Sequence, residues 1–338
     1  MRRMMALVVL ALLMTCWNVA YAGGGDYPPI SDSIGGKTLA LAAVPPGSVS
    51  PTPQVYLWQY GRQPVQITHS QYWVTHPRFS PDGRRLAVND GNQVVIIDLV
   101  SGRARVIVPG PRKFIGDWSP DGRFLCFMAL RWVPEWDDYG QPRVWYVDVR
   151  TKRTFQVPDH GVGQRYPTWG PDGTIAFEEG NEVPSSGVKG YNPYTGEESI
   201  LVPTAGEYGE LGAGDPVWTP QGDTYYSNWP SYTDTNKIFL VNSEDIPGRG
   251  TPVTHNLWEW GEDIPELATG EGDFFYRSYG ENAYTTYHFM RDRFGTLWAL
   301  DHIIGLDYWT GSITITDTIR LHERWWRTKP SQRFLSRR

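Results

Sequence analysis

Apolar positions in this chain fall in short runs, and each run follows a polar turn of nearly constant composition. Phe79-Ser80-Pro81-Asp82-Gly83 precedes the run Arg85 to Val88, and Trp118-Ser119-Pro120-Asp121-Gly122 precedes Phe124 to Met128. Trp169-Gly170-Pro171-Asp172-Gly173 precedes Thr174 to Phe177, and Trp218-Thr219-Pro220-Gln221-Gly222 precedes Thr224 to Ser227. A decayed copy, Thr269-Gly270-Glu271-Gly272, stands before Phe274-Phe275-Tyr276, and Gly35-Gly36 holds the same place before Leu39-Ala40-Leu41. Runs this short, punctuated by Pro, Asp and Gly, predict strands rather than helices. A further run follows, such as Val94 to Leu99 or Val144 to Val149, then a tight turn at Ser101-Gly102 or Thr195-Gly196 and a fourth strand.

The turn chemistry explains the repeat. Proline presets φ, the Asp side chain bonds the backbone just ahead of it, and glycine takes positive φ without steric cost. Turn glycines at 36, 83, 122, 173, 222 and 272 are 47, 39, 51, 49 and 50 residues apart. Four antiparallel strands in each of six such units predict an all-β fold, a β-propeller of six four-stranded blades. The last unit is irregular: Thr285 to Phe289, Arg291 to Trp298 and Ile303 to Gly311 form either an insertion or a compressed seventh blade, and six is the preferred count. A strand from one terminus is expected to complete the ring, because an open ring would expose two sheet edges.

The Trp-Ser-Pro-Asp-Gly-Arg pattern, followed later by Val-x-Asp-x-x-Ser/Thr-Gly, resembles the WD-repeat-like propeller of TolB-type proteins, and the resemblance covers nearly all of residues 30–316. It implies architecture rather than chemistry, since relatives of this kind include periplasmic scaffolds, peptidase-associated propellers and a few lyases.

The two ends read differently from the body. Arg2 and Arg3 precede an apolar run from Met4 to Met14 and the small-x-small site Ala20-Tyr21-Ala22, so residues 1–22 are expected to be a secretory signal. The expected location is therefore exported: periplasmic, extracellular, or membrane-anchored if the signal stays uncleaved. Residues 23–319 are assigned to the propeller and 320–338 to a basic tail. The formal charge is −6; the tail has an excess of six positive charges and Arg2 and Arg3 add two more, so the propeller region carries −14. An acidic body argues against nucleic acid as a ligand. In the tail, Arg320, Arg324, Arg327, Lys329, Arg333, Arg337 and Arg338 alternate with Trp325, Trp326, Phe334 and Leu335, a pattern suited to contact with an anionic membrane surface or to strapping against the acidic body. Loss of the signal would leave Cys126 as the single cysteine, and no disulfide is expected.

Strand alternation puts the first-to-second and third-to-fourth turns on one face, where the sequence predicts uniformly short connections. The long segments then collect on the other face: Ala43 to Gln54, Leu130 to Pro142, Glu178 to Gly190, Pro203 to Asp215, Asn228 to Asn236 and Thr254 to Asp263. They are rich in rings and acids, which gives the candidate ligand-binding residues Trp132, Glu135, Trp136, Asp137, Asp138, Tyr139, Trp229, Tyr232, Asp234, Trp258 and Trp260, beside Glu259, Glu262 and Asp263. His69, His160 and His255 fall in inter-blade connections but lack metal-ligand spacing, so turn histidines are expected, with no metal and no cofactor. There is no G-x-S-x-G elbow, and the adjacent acids Glu178-Glu179 and Asp137-Asp138 carry no information on separation across a substrate; no catalytic residue is assigned. The expectation is an exported, non-enzymatic propeller that binds an unidentified protein, peptide or carbohydrate through its long-loop face. The alternative is a propeller enzyme of the polysaccharide lyase or glycoside hydrolase kind.

Overall fold

The computed structural model describes residues 37–44, 52–59, 62–91, 93–110, 112–133, 138–180, 186–204, 212–229, 237–254, 262–269, 272–279, 286–291, 295–300 and 309–317. The expected signal and basic tail, and His255, lie outside the described residues.

Six four-stranded antiparallel sheets are present. The first contains β1 (Lys37–Ala43), β2 (Gln54–Gln59) and β3 (Val65–Gln66). The second is β4 (Val74–Phe79), β5 (Arg85–Asp90), β6 (Gln93–Asp98) and β7 (Ala104–Val108), and the third is β8 (Lys113–Trp118), β9 (Phe124–Val133), β10 (Asp138–Asp148) and β11 (Thr154–Gln156). The fourth is β12 (Gln164–Trp169), β13 (Ile175–Glu179), β14 (Gly187–Tyr191) and β15 (Glu198–Val202). The fifth is β16 (Gly212–Trp218), β17 (Thr224–Trp229), β18 (Lys237–Val241) and β19 (Thr251–Pro252), and the sixth is β20 (Glu262–Ala268), β21 (Phe274–Tyr279), β22 (Thr286–Arg291) and β23 (Leu297–Ala299). The last strand, β24 (Trp309–Asp317), pairs with β1 and supplies the innermost strand of the first blade. Ring closure by the last described strand is therefore the observed solution, and the described residues from Thr286 onward belong to the sixth and first blades.

The middle strands are apolar at successive positions because both faces are buried. Leu39 and Leu41 pack on the sixth blade with Phe275 and Met290, whereas Ala40 turns to the second blade with Leu86 and Val88. Within β5 Ala87 turns the other way from Leu86 and Val88, toward Leu125 and Phe127 of the third blade. Comparable clusters join the third to fourth, fourth to fifth and fifth to sixth blades. Period-two geometry thus assigns alternate residues to alternate neighbours.

The repeat turns carry the chemistry expected of them. Ser80 Oγ donates to Asp82 Oδ1 (2.5 Å), which also accepts from Arg84 N (3.1 Å), and Ser119, Asp121 and Arg123 repeat the arrangement at 2.5 and 3.0 Å. Gly83 and Gly122 adopt φ of 58° and 66°. The turn between third and fourth strands uses Asp98 and Asp148, whose Oδ1 atoms accept from the backbone two and three residues on. The aromatic of the motif ties blades together: Trp118 Nε1 donates to Arg78 O of the preceding blade (3.0 Å), and the Arg85 guanidinium lies 4.6 Å from the Trp118 ring.

Two expectations are corrected. The turn face is not uniformly short, since residues 242–250 of the fifth blade include a 3-10 turn at Ser243–Asp245. The segment Leu130 to Pro142 is not a loop: β9 and β10 run on as a hairpin, with Tyr139 opposite Trp132, until only 134–137 remain outside the described strands. Similarly, β13 reaches Glu179 and β14 begins at Gly187, which shortens the connection read as Glu178 to Gly190.

Candidate functional site

The innermost strands β4, β8, β12, β16, β20 and β24 contact one another in sequence and enclose the central axis. Among the described residues their inner edges have no strand partner, which permits proline there. Pro77, Pro167 and Pro216 occupy equivalent places, each within a register shift of its strand, and in the sixth blade Glu266, next to Pro265, takes that place. In the third blade the place falls to Gly116, where a Cβ would stand 2.0 Å from Pro167 O. A bulge redirects the side chains beside it. The residues before three of the prolines, His76, Tyr166 and Asp215, adopt φ of 52°, 49° and 47°. Such strain in residues other than glycine concentrates where a fold positions side chains for use.

The bulges assemble a polar ring. Arg78 Nε lies 3.6 Å from Asp117 Oδ1, and Thr168 Oγ1 donates to Asp117 Oδ2 (3.2 Å), linking the second, third and fourth blades. Arg165 Nη1 lies 3.3 Å from Glu178 Oε1, and Arg277 pairs with Glu266. Burial, with Arg78 and Arg277 nearby, lowers the His76 pKa to about 3, so its imidazole is neutral. Tyr166 keeps 48% of its surface open, yet the surrounding protein and the acids Asp215 and Glu178 raise its phenol to about 12. Burial also raises Glu178, against the opposing effect of Arg165, and raises the Cys126 thiol. At neutral pH the ring offers a neutral imidazole, a protonated phenol and fixed ion pairs, a set suited to hydrogen bonding.

The opposite design appears on the face of long connections. Gln54 organises residues 68–72: its Oε1 accepts from Thr68 Oγ1 and Ser70 N (3.0 and 2.9 Å), and its Nε2 donates to Ser70 O and Tyr72 O (3.1 and 3.2 Å). Ser70 Oγ donates to Asp90 Oδ1 (2.6 Å), whose pKa burial raises. Held this way, the turn presents Tyr72 and Trp73 with 52% and 60% of their surfaces exposed. Between the third and fourth blades His160 has the corresponding task, with Nδ1 2.8 Å from Glu179 Oε2 and Nε2 3.0 Å from Glu198 Oε2.

Of the expected binding residues, Trp132, Asp138 and Tyr139 lie in the β9–β10 hairpin and Trp229 ends β17. Glu135, Trp136, Asp137, Tyr232, Asp234, Trp258 and Trp260 lie outside the described residues. Glu178 and Glu179 are neighbours in one strand and so face opposite sides, Glu178 to Arg165 and Glu179 to His160. His69 is bonded locally, its Nδ1 3.1 Å from Gln66 Nε2, and among the described residues no group of three or more His, Cys, Asp or Glu could hold a metal ion. Sequence reasoning passed over Tyr72, Trp73 and the axial ring. The ring had a signal, the residue-Pro-residue-aromatic string that ends three innermost strands in phase.

No family model matches the sequence, and no curated relative matches it. Solved structures do. TolB from Acinetobacter baumannii superposes with a TM-score of 0.60 at 15% identity, over 83% of this chain and 65% of that one, so this chain spans under two thirds of its length. A TolB from Agrobacterium tumefaciens gives 0.56 at 14% identity over 78% and 88%, and an oligogalacturonate lyase in complex with manganese gives 0.52 at 17% over 73% and 70%. At such identities the likeness is one of fold. Six blades, in-phase Pro-Asp-Gly turns and these superpositions together give the chain a β-propeller fold similar to that of TolB.

Proposed function

We propose that this protein is an exported binding propeller that captures a protein, peptide or carbohydrate partner on its long-connection face and performs no chemistry on it. The observation that carries this reading is the clasped turn at 68–72, where four hydrogen bonds from one Gln54 side chain hold Tyr72 and Trp73 out toward solvent. Rings fixed in advance lose little conformational entropy on binding, which is why Tyr and Trp anchor interfaces. The hairpin carrying Trp132 and Tyr139 rises on the same face. The axial groups support binding over turnover, because general acid–base catalysis favours a pKa near the working pH, and His76 and Tyr166 stand far from neutrality on either side. Export rests on residues 1–22, whose charged start, apolar run and small-x-small site suit a signal.

The test is retention on a displayed peptide library and a glycan array. The wild-type protein is expected to select members of one of these, and the double variant Tyr72→Ala, Trp73→Ala to lose them with an unchanged melting temperature. Equal retention by both proteins, or turnover of a bound glycan, would overturn the reading.

A further inference from the structure

The blade interfaces differ at the end nearest the long connections. Cross-strand register defines one row of side chains there in each blade, facing the blade before it. In the second blade the row is Val74, Asp90 and Gln93, and in the fourth Gln164, Glu179 and Gly187. Both rows have a carboxylate in the centre, and both carboxylates hold the preceding connection: Asp90 through Ser70, Glu179 through His160 and Gln164.

The third blade breaks the pattern. Its row is Lys113, Ala129 and Arg143, so a methyl group stands where the neighbours have a carboxylate, with a cation on either side. The connection into this blade, 109–112, is also shorter than those at 67–73 and 157–163. Small residue and short connection together leave a cavity of about 750 Å³ between the second and third blades. Volumes of roughly 300–1,000 Å³ are typical of small-molecule sites. The next row inward supplies an apolar floor, with Phe127 2% exposed beside the half-buried Trp145, and Val108 closes it from the second blade. Arg143 is fixed by Asp159 (Nε to Oδ2, 2.8 Å) and by Val162 O (3.0 Å). Gln141 and Gln156 add amides at the rim.

We propose that this cavity binds a small amphipathic carboxylate, whose apolar body lies on Phe127 and Trp145 and whose charged end takes the place that Asp90 and Glu179 fill in the neighbouring blades. The ligand completes a row that the second and fourth blades complete with their own carboxylates. Lys113 gives the anion its charge-assisted contact, and burial lowers the Lys113 pKa. Against a propeller region carrying −14, the cavity's charged lining of Lys113, Arg143 and Asp159 has an excess of one positive charge, which suits a ligand with a single negative charge. The site is separate from the Tyr72 and Trp73 edge and does not depend on capture of a partner there.

Isothermal titration of the full chain with 3-phenylpropionate, 3-phenylpropan-1-ol and acetate tests the proposal. Saturable one-to-one binding of 3-phenylpropionate is expected, with the alcohol at least about tenfold weaker, as loss of one charged contact implies, and no detectable binding of acetate. Ala129→Glu would supply the missing carboxylate internally, and is expected to abolish binding while leaving the partner selection of the loop face intact. Should that variant fold poorly, Lys113→Gln provides the second arm, with affinity reduced about tenfold and melting temperature unchanged. The proposal is overturned if acid and alcohol bind equally, if no member of the panel binds, or if both variants bind like the wild type.

Discussion

The two faces of this propeller solve opposite problems with the same residue types. On the turn face, side-chain acceptors are spent on the backbone beside them: Asp82, Asp121, Asp98 and Asp148 each bond amides within three residues. On the connection face, side chains hold distant segments, as Gln54 holds Ser70 and Tyr72, and as His160 joins Glu179 to Glu198. Local bonds make a repeat that tolerates shuffling of its surroundings. Long-range clasps fix one particular surface, and only such a surface can recognise something.

Substitution at the junction of turn and core should cost the most stability. Trp118→Ala removes a buried ring that also donates to Arg78 O, and urea unfolding should show a loss of about 3–5 kcal/mol. Trp73→Ala, at an exposed ring, should stay within about 0.5 kcal/mol of wild type in the same assay. Similar losses from the two would mean that the connection face is part of the core and not a presented surface.

The acid side sharpens the contrast. Backbone amides of Thr151 foremost, and the Arg123 guanidinium, lower the Asp148 pKa from 3.8 to about 2. Its contribution is complete above the unfolded value near 4 and is lost as pH falls through about 2. Asp148→Asn should therefore lower stability across the neutral range, where the contribution is complete, and flatten the acid limb of the profile measured by thermal melts.

The smallest effect is expected at the clasp on the other face and has the opposite sign. Its bond to Glu179 foremost raises the His160 pKa above 6.5. That contribution is complete below about pH 6.5 and disappears as pH rises through the raised value. Hydrogen exchange should find residues 157–163 less protected at pH 9 than at pH 6, and His160→Gln should remove the difference. An unchanged pH response in that variant would assign the effect to another group.

The same contrast explains what the sequence disclosed. The turns were legible because Ser80, Pro81, Asp82 and Gly83 act on each other, so their chemistry is written in adjacent letters. Closure by β24 followed from the need to cover an edge, although the register of Thr314 against Ala40 did not. The β9–β10 extension was misread because its rings and acids have the composition of a loop, whereas cross-strand pairing decided the matter. His76, Tyr166 and Asp215 come from three blades, and nothing near any one of them announces the others; only the recurring proline marked their place.

The central claim is that recognition belongs to the connection face and not to the turn face, and an exposed tyrosine stands on each: Tyr72 at 52% and Tyr194 at 51%. Replacing either with a photo-crosslinking phenylalanine analogue, irradiating cells that make the protein, and resolving adducts by mass spectrometry compares the two directly. Discrete adducts from position 72, with none from position 194, are the predicted result; adducts from position 194 alone, or equal yields from both, would contradict it.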